Sequence, residues 1–245
     1  MTINPPDHYL IFDGQNLGDW GLHISGDKTF GAPERDVDEV EVPGRNGTLT
    51  YDNGRFKNYT LEYDGGLVFG TQSEFEMKCA KIRSFLCSRI GYKRLEDTYH
   101  QDEYRMAKFV DGFDPDVVML QGGTFTLEFD CKPQRFLKEG EIVETYTASG
   151  SIHNPTDFTA TPLIRTYGSG KVEINGNTLT IKQPSSVDYV DIDCDLMDCF
   201  SGALNCNDCV TISEYTFPTF EPGVTTIGIG KGITKVEITP RWYTI

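Results

Sequence analysis

The 245-residue sequence predicts an α+β domain, rich in strands and with one main helix, followed by an all-β sandwich domain. The first reason is a single amphipathic helix pattern, which lies among strand patterns in the first half. The second is that only short alternating segments, separated by turn residues, follow residue 138. The third is a content of 25 Gly, 15 Phe and 12 Tyr, which favours strands and turns. The predicted limits are 1–138 for the first domain, 139–150 for a linker and 151–245 for the second domain.

Residues 41–65 contain the densest turn chemistry in the chain. Pro43-Gly44, Asn46-Gly47 and Asn53-Gly54 each supply a glycine that tolerates the positive φ of a tight turn. Thr48–Tyr51 and Tyr59–Tyr63 alternate polar and apolar residues, which predicts a hairpin joined at residues 52–54. A glycine-rich run binds phosphate where a helix follows it, and here strands follow, so phosphate binding is disfavoured.

Short strands are predicted on the N-terminal side of this stretch. A polar lead-in from Asn4 precedes the strand pattern YLIFDG, which ends in a turn at Asp13-Gly14. Leu22–Ser25 predicts a second strand. The charged segment Gly31–Val42 is typical of a solvated loop or an edge strand.

The main helix is predicted to begin at Ser73, which is a good N-cap with Glu76 three residues further on. Its apolar stripe consists of Phe75, Cys79, Ile82, Phe85 and Leu86, and the helix is expected to end before Gly91 and to pack on a sheet. Cys79 and Cys87 are predicted to lie in or near the core, because a free cysteine behaves as a small hydrophobe.

Strands are predicted again after the helix. In the first domain they are Tyr92–Leu95, Tyr104–Val110 and Thr124–Cys131, of which the last is strongly two-periodic. In the second domain they are Leu163–Tyr167, Lys171–Ile174, Thr178–Ile181, Tyr189–Ile192, Cys209–Ile212, Thr225–Ile229 and Lys235–Thr239.

The formal net charge of −15 is spread along the chain. Residues up to Lys138 include 16 basic and 23 acidic side chains, and the remainder includes 6 and 14. No basic face is concentrated anywhere, which opposes specific nucleic-acid binding. The longest apolar run near the N-terminus is too short for a signal peptide or a membrane span, so we expect no membrane insertion and a protein that stays in the cell that makes it.

Four cysteines lie close together in the second half and raise the question of a zinc site. They are Cys194, Cys199, Cys206 and Cys209. Four thiolates suit Zn²⁺, but the stretch between the central pair is shorter than the roughly 15–20 residues usual in zinc ribbons. With seven cysteines and no export signal, free thiols are favoured, and we expect no metal and no cofactor.

No catalytic constellation is found. The histidines, His8, His23, His100 and His153, are scattered and lack a metal-binding or nucleophile motif. The acidic run at residues 191–195 places carboxylates at alternate positions but lacks the glycine and glutamate of a calcium loop. In a strand, that alternation predicts a solvated face. The chain is therefore not expected to be an enzyme.

Several long runs resemble one family. In the first half they include VPGRNG, DNGRFKN, FEMKCAKIRSFL and GTFTLEFDCKPQRF, and in the second NPTDFTATPLIRTYGSGKVEINGNTLTI, IDCDLMD, FPTFEPGVTTI and ITPRWYTI. Their order and spacing resemble the distal tail (Dit) proteins of long, non-contractile-tailed bacteriophages, with a Gram-positive-type host. The likeness covers nearly the whole chain.

The resemblance implies a structural virion protein of the tail tip, made and assembled in the host cytoplasm. Such proteins form a homohexameric ring from an N-terminal belt domain, and a galectin-like sandwich points outward. The ring is part of the DNA ejection conduit and joins the tail tube (major tail) protein to the tail-associated tip protein and to receptor-binding or accessory baseplate proteins. The turn-rich stretch is the expected ring contact, through Pro43, Gly44, Arg45, Asn46, Gly47, Asn53, Gly54 and Arg55.

A carbohydrate-binding adhesion module is the alternative function. Galectin sugar sites resemble a pattern of His, Asn and Arg on one strand and a Trp with Glu and Arg nearby. His153-Asn154-Pro155 is similar to a fragment of it, but Thr156 follows, and neither Trp20 nor Trp242 has the charged companions. The second domain is therefore interpreted as a docking module.

Overall fold

The computed structural model describes residues 8–25, 31–110, 112–113, 115–119 and 122–245. The chain divides into two compact units, residues 1–135 with 245, and residues 136–244. The predicted domain limits at 138 and 151 stay a prediction, although residues 138–146 already form a 3₁₀ helix and a strand. The polar lead-in predicted from Asn4 lies largely outside the described residues.

The first unit is mostly β-sheet and has one α-helix in its described part. The strands are β1 (Leu10–Phe12), β2 (Gln15–Asn16), β3 (Leu22–Ile24), β4 (Arg35–Glu41), β5 (Thr48–Phe56), β6 (Tyr59–Val68), β7 (Lys93–Asp97), β8 (Glu103–Phe109), β9 (Asp116–Met119) and β10 (Gly122–Leu137). The main sheet has the order β2-β1-β7-β8-β10-β6-β3, and β9 also pairs with β10. A separate sheet contains only β4 and β5.

The long β10 strand organises the main sheet. It pairs antiparallel with β6 over ten consecutive positions, from Gly122 opposite Val68 to Cys131 opposite Tyr59. From Phe125 to Cys131, every second residue of β10 is buried in the first core, as the alternation in the sequence predicts; these residues are Phe125, Leu127, Phe129 and Cys131. The other face of the strand carries polar side chains.

The α-helix, α1 (Gln72–Cys87), covers the apolar face of this sheet. Its N-cap is Thr71, whose hydroxyl accepts a hydrogen bond from the Glu74 amide at 3.2 Å, and not Ser73 as predicted. The Glu74 carboxylate in turn accepts from the Gly70 amide at 2.8 Å, so the capping pair lies two residues earlier than expected.

The predicted apolar stripe of α1 is confirmed. Four of its members, Phe75, Cys79, Ile82 and Leu86, are buried, and Phe85 is partly buried against the same core. The placement of Cys87 in or near the core is wrong, because this residue is exposed. Eight residues after Cys79, its side chain lies about 80° around the helix from that position.

The first unit also contains a buried charged network. Arg105 Nη1 donates to Asp97 Oδ2 at 3.1 Å, and the hydroxyl of Tyr63 donates to the same oxygen at 2.7 Å. Burial would raise the pKa of Asp97, but the Tyr63 hydrogen bond and the Arg105 charge outweigh it, and the pKa is lowered. The carboxylate is therefore ionised and fully partnered at neutral pH.

The second unit consists of two sheets. The strands are β11 (Glu144–Tyr146), β12 (Gly150–Asn154), β13 (Leu163–Gly168), β14 (Gly170–Ile174), β15 (Asn177–Ile181), β16 (Val190–Asp193), β17 (Asp198–Ser201), β18 (Leu204–Asn205), β19 (Val210–Ile212), β20 (Gly223–Ile229), β21 (Ile233–Thr239) and β22 (Tyr243–Thr244). One sheet has the order β11-β21-β13-β16-β17-β18 and the other β12-β20-β14-β15-β19, and β22 belongs to neither of them. Both contribute apolar side chains to one core. All seven strands predicted here are present, to within two residues at each end.

The solvated face predicted for residues 191–195 is wrong for two of its carboxylates. Asp191 and Asp193 lie on β16 and are 3% and 4% exposed. Arg165 Nε donates to Asp191 at 2.7 Å, and Arg241 donates to Asp193. The two guanidinium groups cover this face of the strand, so the carboxylates are removed from water in ion pairs.

Candidate functional site: the β4–β5 arm

Strands β4 and β5 form an exposed two-stranded arm, residues 35–56 including their turn. Within the described residues they pair only with each other. The predicted hairpin between Thr48–Tyr51 and Tyr59–Tyr63 is therefore wrong: β5 runs without a break from Thr48 to Phe56, and its partner precedes it. The Tyr59–Tyr63 segment belongs to β6 in the main sheet. The charged segment before residue 42 is the edge strand β4, one of the two structures its pattern predicted.

The turn of the arm is formed by residues 42–47. Gly44 and Gly47 have φ angles of 83° and 82°, a region that glycine adopts without strain. The Arg45 amide donates to the Val42 carbonyl at 3.1 Å and tightens the turn. The Arg45 side chain makes no ion pair with any described residue, so a guanidinium group is presented at the tip.

Asn53-Gly54 forms a bulge near the base of the arm rather than a turn between strands. The register shifts between Arg35, which lies opposite Phe56, and Val37, which lies opposite Asp52. Gly54 has a φ of 71°, and its amide donates to Asp52 Oδ1 at 2.9 Å. The bulge therefore keeps Asn53-Gly54 inside one strand.

Ion pairs stabilise the base of the arm. Arg35 pairs with Asp52, and Arg55 Nε donates to Asp36 at 2.7 Å. The hydrogen bond from Arg35 lowers the pKa of Asp52, which stays ionised. Because these groups are exposed, each pair contributes little free energy, and the arm depends on its ladder and its few side-chain contacts.

The two faces of the arm differ in chemistry. Asp38 lies opposite Tyr51 and Val40 opposite Leu49, which places three large apolar side chains on one face. Their exposed fractions are 67% for Tyr51, 52% for Val40 and 49% for Leu49. The other face carries Glu39 opposite Thr50 and Glu41 opposite Thr48, so it is polar and acidic. An isolated two-stranded hairpin is marginally stable in water, so an exposed apolar face on one indicates a binding surface.

All eight residues predicted for the ring contact lie on the arm, but at two places. Pro43, Gly44, Arg45, Asn46 and Gly47 form the exposed tip, whereas Asn53, Gly54 and Arg55 lie at the basal bulge. The apolar face between them was missed. Its signal was the alternation of Leu49 and Tyr51 with threonines and the position of Val40 between two glutamates, which the expected pairing with β6 obscured.

The four cysteines considered for zinc lie in the second unit. Cys194, Cys199 and Cys206 are buried, and Cys209 is partly buried. Burial raises the pKa of Cys199 to about 12, so its thiol is protonated at neutral pH. Among the described residues, no group of three or more His, Cys, Asp or Glu side chains is arranged to hold a metal ion.

The residues that are similar to a galectin sugar site do not form a platform. Asn154 is buried and donates to the carbonyls of Phe158 and Phe220 at 2.9 Å, so its amide is used inside the unit. Trp242 is 3% exposed and packs against Phe220. In the first unit, Trp20 packs edge-on against Phe85. Trp242 is therefore enclosed in the core, and the Lys81 ammonium lies over the ring of Trp20, 4.3 Å from its centroid.

No helix in the described part of the chain combines the length and the apolar character that crossing a bilayer requires.

No protein-family model and no curated protein matches this chain. Three of the solved structures that match it are a phage Dit protein and two phage baseplates, and the chain has a similar fold. One of them is the Dit protein of phage SPP1, described as a paradigm of the hub adsorption apparatus in phages that infect Gram-positive bacteria. It matches with a TM-score of 0.75 and 14% identity over 97% of this chain and 99% of that chain.

Two structures of the phage P2 baseplate in its activated conformation are also similar. The one determined with Ca has a TM-score of 0.55 and 11% identity, and the one with Sr has 0.54 and 10%. Each match covers 94% of this chain and 97% of the other. The overall Dit-like fold that the sequence resemblance implies is thus confirmed, whereas the division into a belt domain and a galectin-like sandwich stays a prediction.

Proposed function

We propose that this protein is a structural component of a phage tail tip, a distal tail hub without enzymatic activity. The observation that carries the proposal is the fold match to SPP1 Dit over 97% of this chain and 99% of that one, since it leaves little of either chain unmatched. The protein would form a homohexameric ring between the tail tube (major tail) protein and the tail-associated tip protein. It would assemble in the host cytoplasm and remain at the virion tail tip.

The arm is the proposed contact between neighbouring copies in the ring. Its apolar face exposes Val40, Leu49 and Tyr51, and its two strands have no other strand beside them in the described part of the chain. Burying such a face against a neighbour removes apolar surface from water, and the Arg45 guanidinium at the tip can then pair with a carboxylate of an acidic neighbour. The chain's net charge of −15 makes such carboxylates abundant.

A ring around the DNA path would benefit from the acidity of the chain. We infer that some carboxylates of the first unit line the lumen, because a conduit that repels phosphates does not retain DNA. A ring structure with a net basic lumen would contradict this inference.

The second unit is proposed to be a galectin-like docking module for receptor-binding or accessory baseplate proteins. The two-sheet architecture and the fold match support this assignment. The buried Asn154 and Trp242 weigh against a sugar site built on the galectin pattern. Carbohydrate binding remains the alternative, and glycan-array binding by a protein that forms no ring would favour it.

The ring proposal is tested by placing the same residue on the two faces of the arm. Leu49→Lys introduces a charge on the apolar face, whereas Thr50→Lys, one position along, points to the acidic face opposite Glu39. Native mass spectrometry and negative-stain images should show a hexameric ring for the wild type and for Thr50→Lys. The Leu49→Lys protein should be monomeric and should keep the circular dichroism spectrum of the folded wild type.

Two results would overturn this placement of the contact. One is a wild-type chain that stays monomeric at all concentrations, alone and with its tube partner. The other is a ring that tolerates Leu49→Lys as well as it tolerates Thr50→Lys.

A further inference from the structure

Three cysteines lie close together in the backbone where the chain crosses from one sheet of the second unit to the other. Strand β18 is the edge of the first sheet and β19 is the edge of the second. The 3₁₀ helix Asn207–Cys209 connects them, with Cys206 at its N-cap position. Cys199 lies on β17, next to β18, so Cys199, Cys206 and Cys209 surround this crossing.

Cys206 and Cys209 are held in the geometry of a tight turn. The Cys209 amide donates to the Cys206 carbonyl at 2.9 Å, which closes the turn between the two residues. Such a turn brings the first and fourth Cα atoms within about 7 Å. Disulfides span Cα separations of about 4.4–6.8 Å, so this pair can be bridged without a large backbone movement.

Cys199 is a less suitable disulfide partner for Cys206 than Cys209 is. Phe200 lies opposite Asn205, so the next pair along the ladder is Cys199 opposite Cys206, and the Cys206 amide donates to the Cys199 carbonyl at 2.8 Å. At hydrogen-bonded pairs of an antiparallel ladder the Cα atoms are about 5.5 Å apart and the side chains are farther from each other than at the alternate pairs. A disulfide requires Cβ atoms within about 3.5–4.5 Å, which this register does not favour.

We propose that Cys206 and Cys209 form a reversible dithiol–disulfide pair that locks the crossing between the two sheets. The oxidant is a small-molecule disulfide of the glutathione class. The Cys209 thiolate attacks one sulfur of this disulfide and releases one small thiolate, which leaves a mixed disulfide on Cys209. Cys206 then loses its proton and attacks Cys209 Sγ, and the second small thiolate leaves. Two protein thiols are oxidised and one small disulfide is reduced to two thiols.

The order of attack follows from exposure. Cys209 is partly exposed, whereas Cys206 is 1% exposed, so an external disulfide reaches Cys209 first. The less accessible Cys206 then attacks the mixed disulfide on Cys209. The crosslink closes a loop of four residues, which gives modest stabilisation and chiefly fixes the connection between β18 and β19.

The test uses the full-length protein, reduced and then incubated with oxidised glutathione. Free thiols are blocked with N-ethylmaleimide under denaturing conditions, and the chain is cleaved before aspartates. Cleavage at Asp198 and Asp208 separates residues 198–207, which hold Cys199 and Cys206, from residues 208–245, which hold Cys209. We expect these two peptides to remain joined, and to separate after reduction.

Serine variants identify the bond. The joined peptides should persist in Cys199→Ser and in the control Cys87→Ser, an exposed cysteine of the first unit. They should disappear in Cys206→Ser and in Cys209→Ser. Because Cys209 is only partly buried, Cys209→Ser should fold even where Cys206→Ser does not. Oxidation should raise the melting temperature of the wild type by roughly 2–5 °C and leave that of Cys209→Ser unchanged.

Several results would overturn the proposal. These are separate peptides in the oxidised wild type, an internal Cys199–Cys206 bond, or a glutathione adduct on Cys209 that is never resolved. A native mass showing a zinc ion that is lost in Cys206→Ser would assign the thiols to a metal instead.

Discussion

Arg241 donates from both of its Nη atoms to Asp193, one to each carboxylate oxygen, and both distances are 2.8 Å. The pair joins the C-terminal segment to β16, where the side chain of Asp193 is 6% exposed and that of Arg241 is 27% exposed. Burial would raise the pKa of Asp193, but the hydrogen bonds from Arg241 and from the Leu196 amide outweigh it and lower the pKa. A two-bond pair of this kind fixes orientation as well as charge.

Asp193→Asn should therefore destabilise the second unit strongly. The substitution leaves the Arg241 guanidinium without a counter-charge in a largely buried setting, and we expect a loss of about 2–4 kcal/mol in the free energy of unfolding. Urea denaturation measures it. The surface pair of Lys108 and Asp130 provides the control, since Asp130→Asn should cost less than about 1 kcal/mol. Equal effects of the two substitutions would contradict the structural role of the buried pair.

The buried network around Asp97 predicts a dependence of stability on pH. Its folded-state pKa lies below the ordinary value of 3.8. A carboxylate with a lowered pKa stabilises the fold above its unfolded-state pKa, and this stabilisation is lost as the pH falls through the lower, folded-state value. The wild type should thus be more stable than Asp97→Asn at neutral pH, and the difference should shrink below about pH 4.

Urea midpoints of the two proteins, measured from neutral to acidic pH, check this expectation. Lys108 and Asp130 form an exposed pair in the same unit, so Asp130→Asn should show little difference from the wild type at any pH. If the difference in urea midpoint between the wild type and Asp97→Asn does not change with pH, the asparagine destabilises the fold through its shape and hydrogen bonding rather than through the lost charge.

Substitutions at the start of α1 test which residue is its N-cap. The structure has Thr71 as the N-cap, whereas the sequence pattern predicted Ser73. Thr71→Ala removes the acceptor of the Glu74 amide and should cost about 0.5–2 kcal/mol. Ser73→Ala, at the second helical residue, should cost less than roughly 0.5 kcal/mol, because Ala is the better helix former there. If Ser73→Ala is the more destabilising substitution in chemical denaturation, Ser73 rather than Thr71 is the N-cap.

Local patterns predicted much of this fold. The stripe of α1 and the alternation of β10 are set by which side chains are apolar, and both were read correctly from the sequence because burial follows that period. The strands of the second unit follow for the same reason, as their turns are marked by Gly, Pro and Asn. The Dit-like fold was predicted by whole runs of sequence rather than by any single site.

The pairing of strands and the ion pairs between residues distant in sequence could not be predicted from local patterns. Asn53-Gly54 fits a hairpin turn and a bulge equally well, and which of them forms depends on the partner strand. Asp191 and Asp193 occupy alternate positions, a pattern typical of an exposed strand face. They are buried because each forms an ion pair with an arginine distant in sequence, Arg165 or Arg241. The arm face was missed because its apolar residues are divided between β4 and β5, and only the register places Val40 beside Leu49.

Hydrogen exchange of the arm is the last prediction, and it depends on the same register. In a monomer the arm has only its own two-stranded ladder and should open by local fluctuations, so its amides should exchange at least roughly 100-fold faster than those of the β6–β10 ladder. The Leu49→Lys protein supplies the monomer. In the wild-type ring, contact with a neighbouring copy should slow exchange at residues 37–51 by about tenfold or more.

The β6–β10 amides serve as the internal control, because their partners lie within one chain and their exchange should not change on assembly. Mass spectrometry of peptides covering both regions, at matched pH and temperature, measures the two rates. If the arm exchanges equally fast in ring and monomer, the contact between copies lies elsewhere on the first unit. If it is already protected in the monomer, the arm is stable by itself and its apolar face serves another partner.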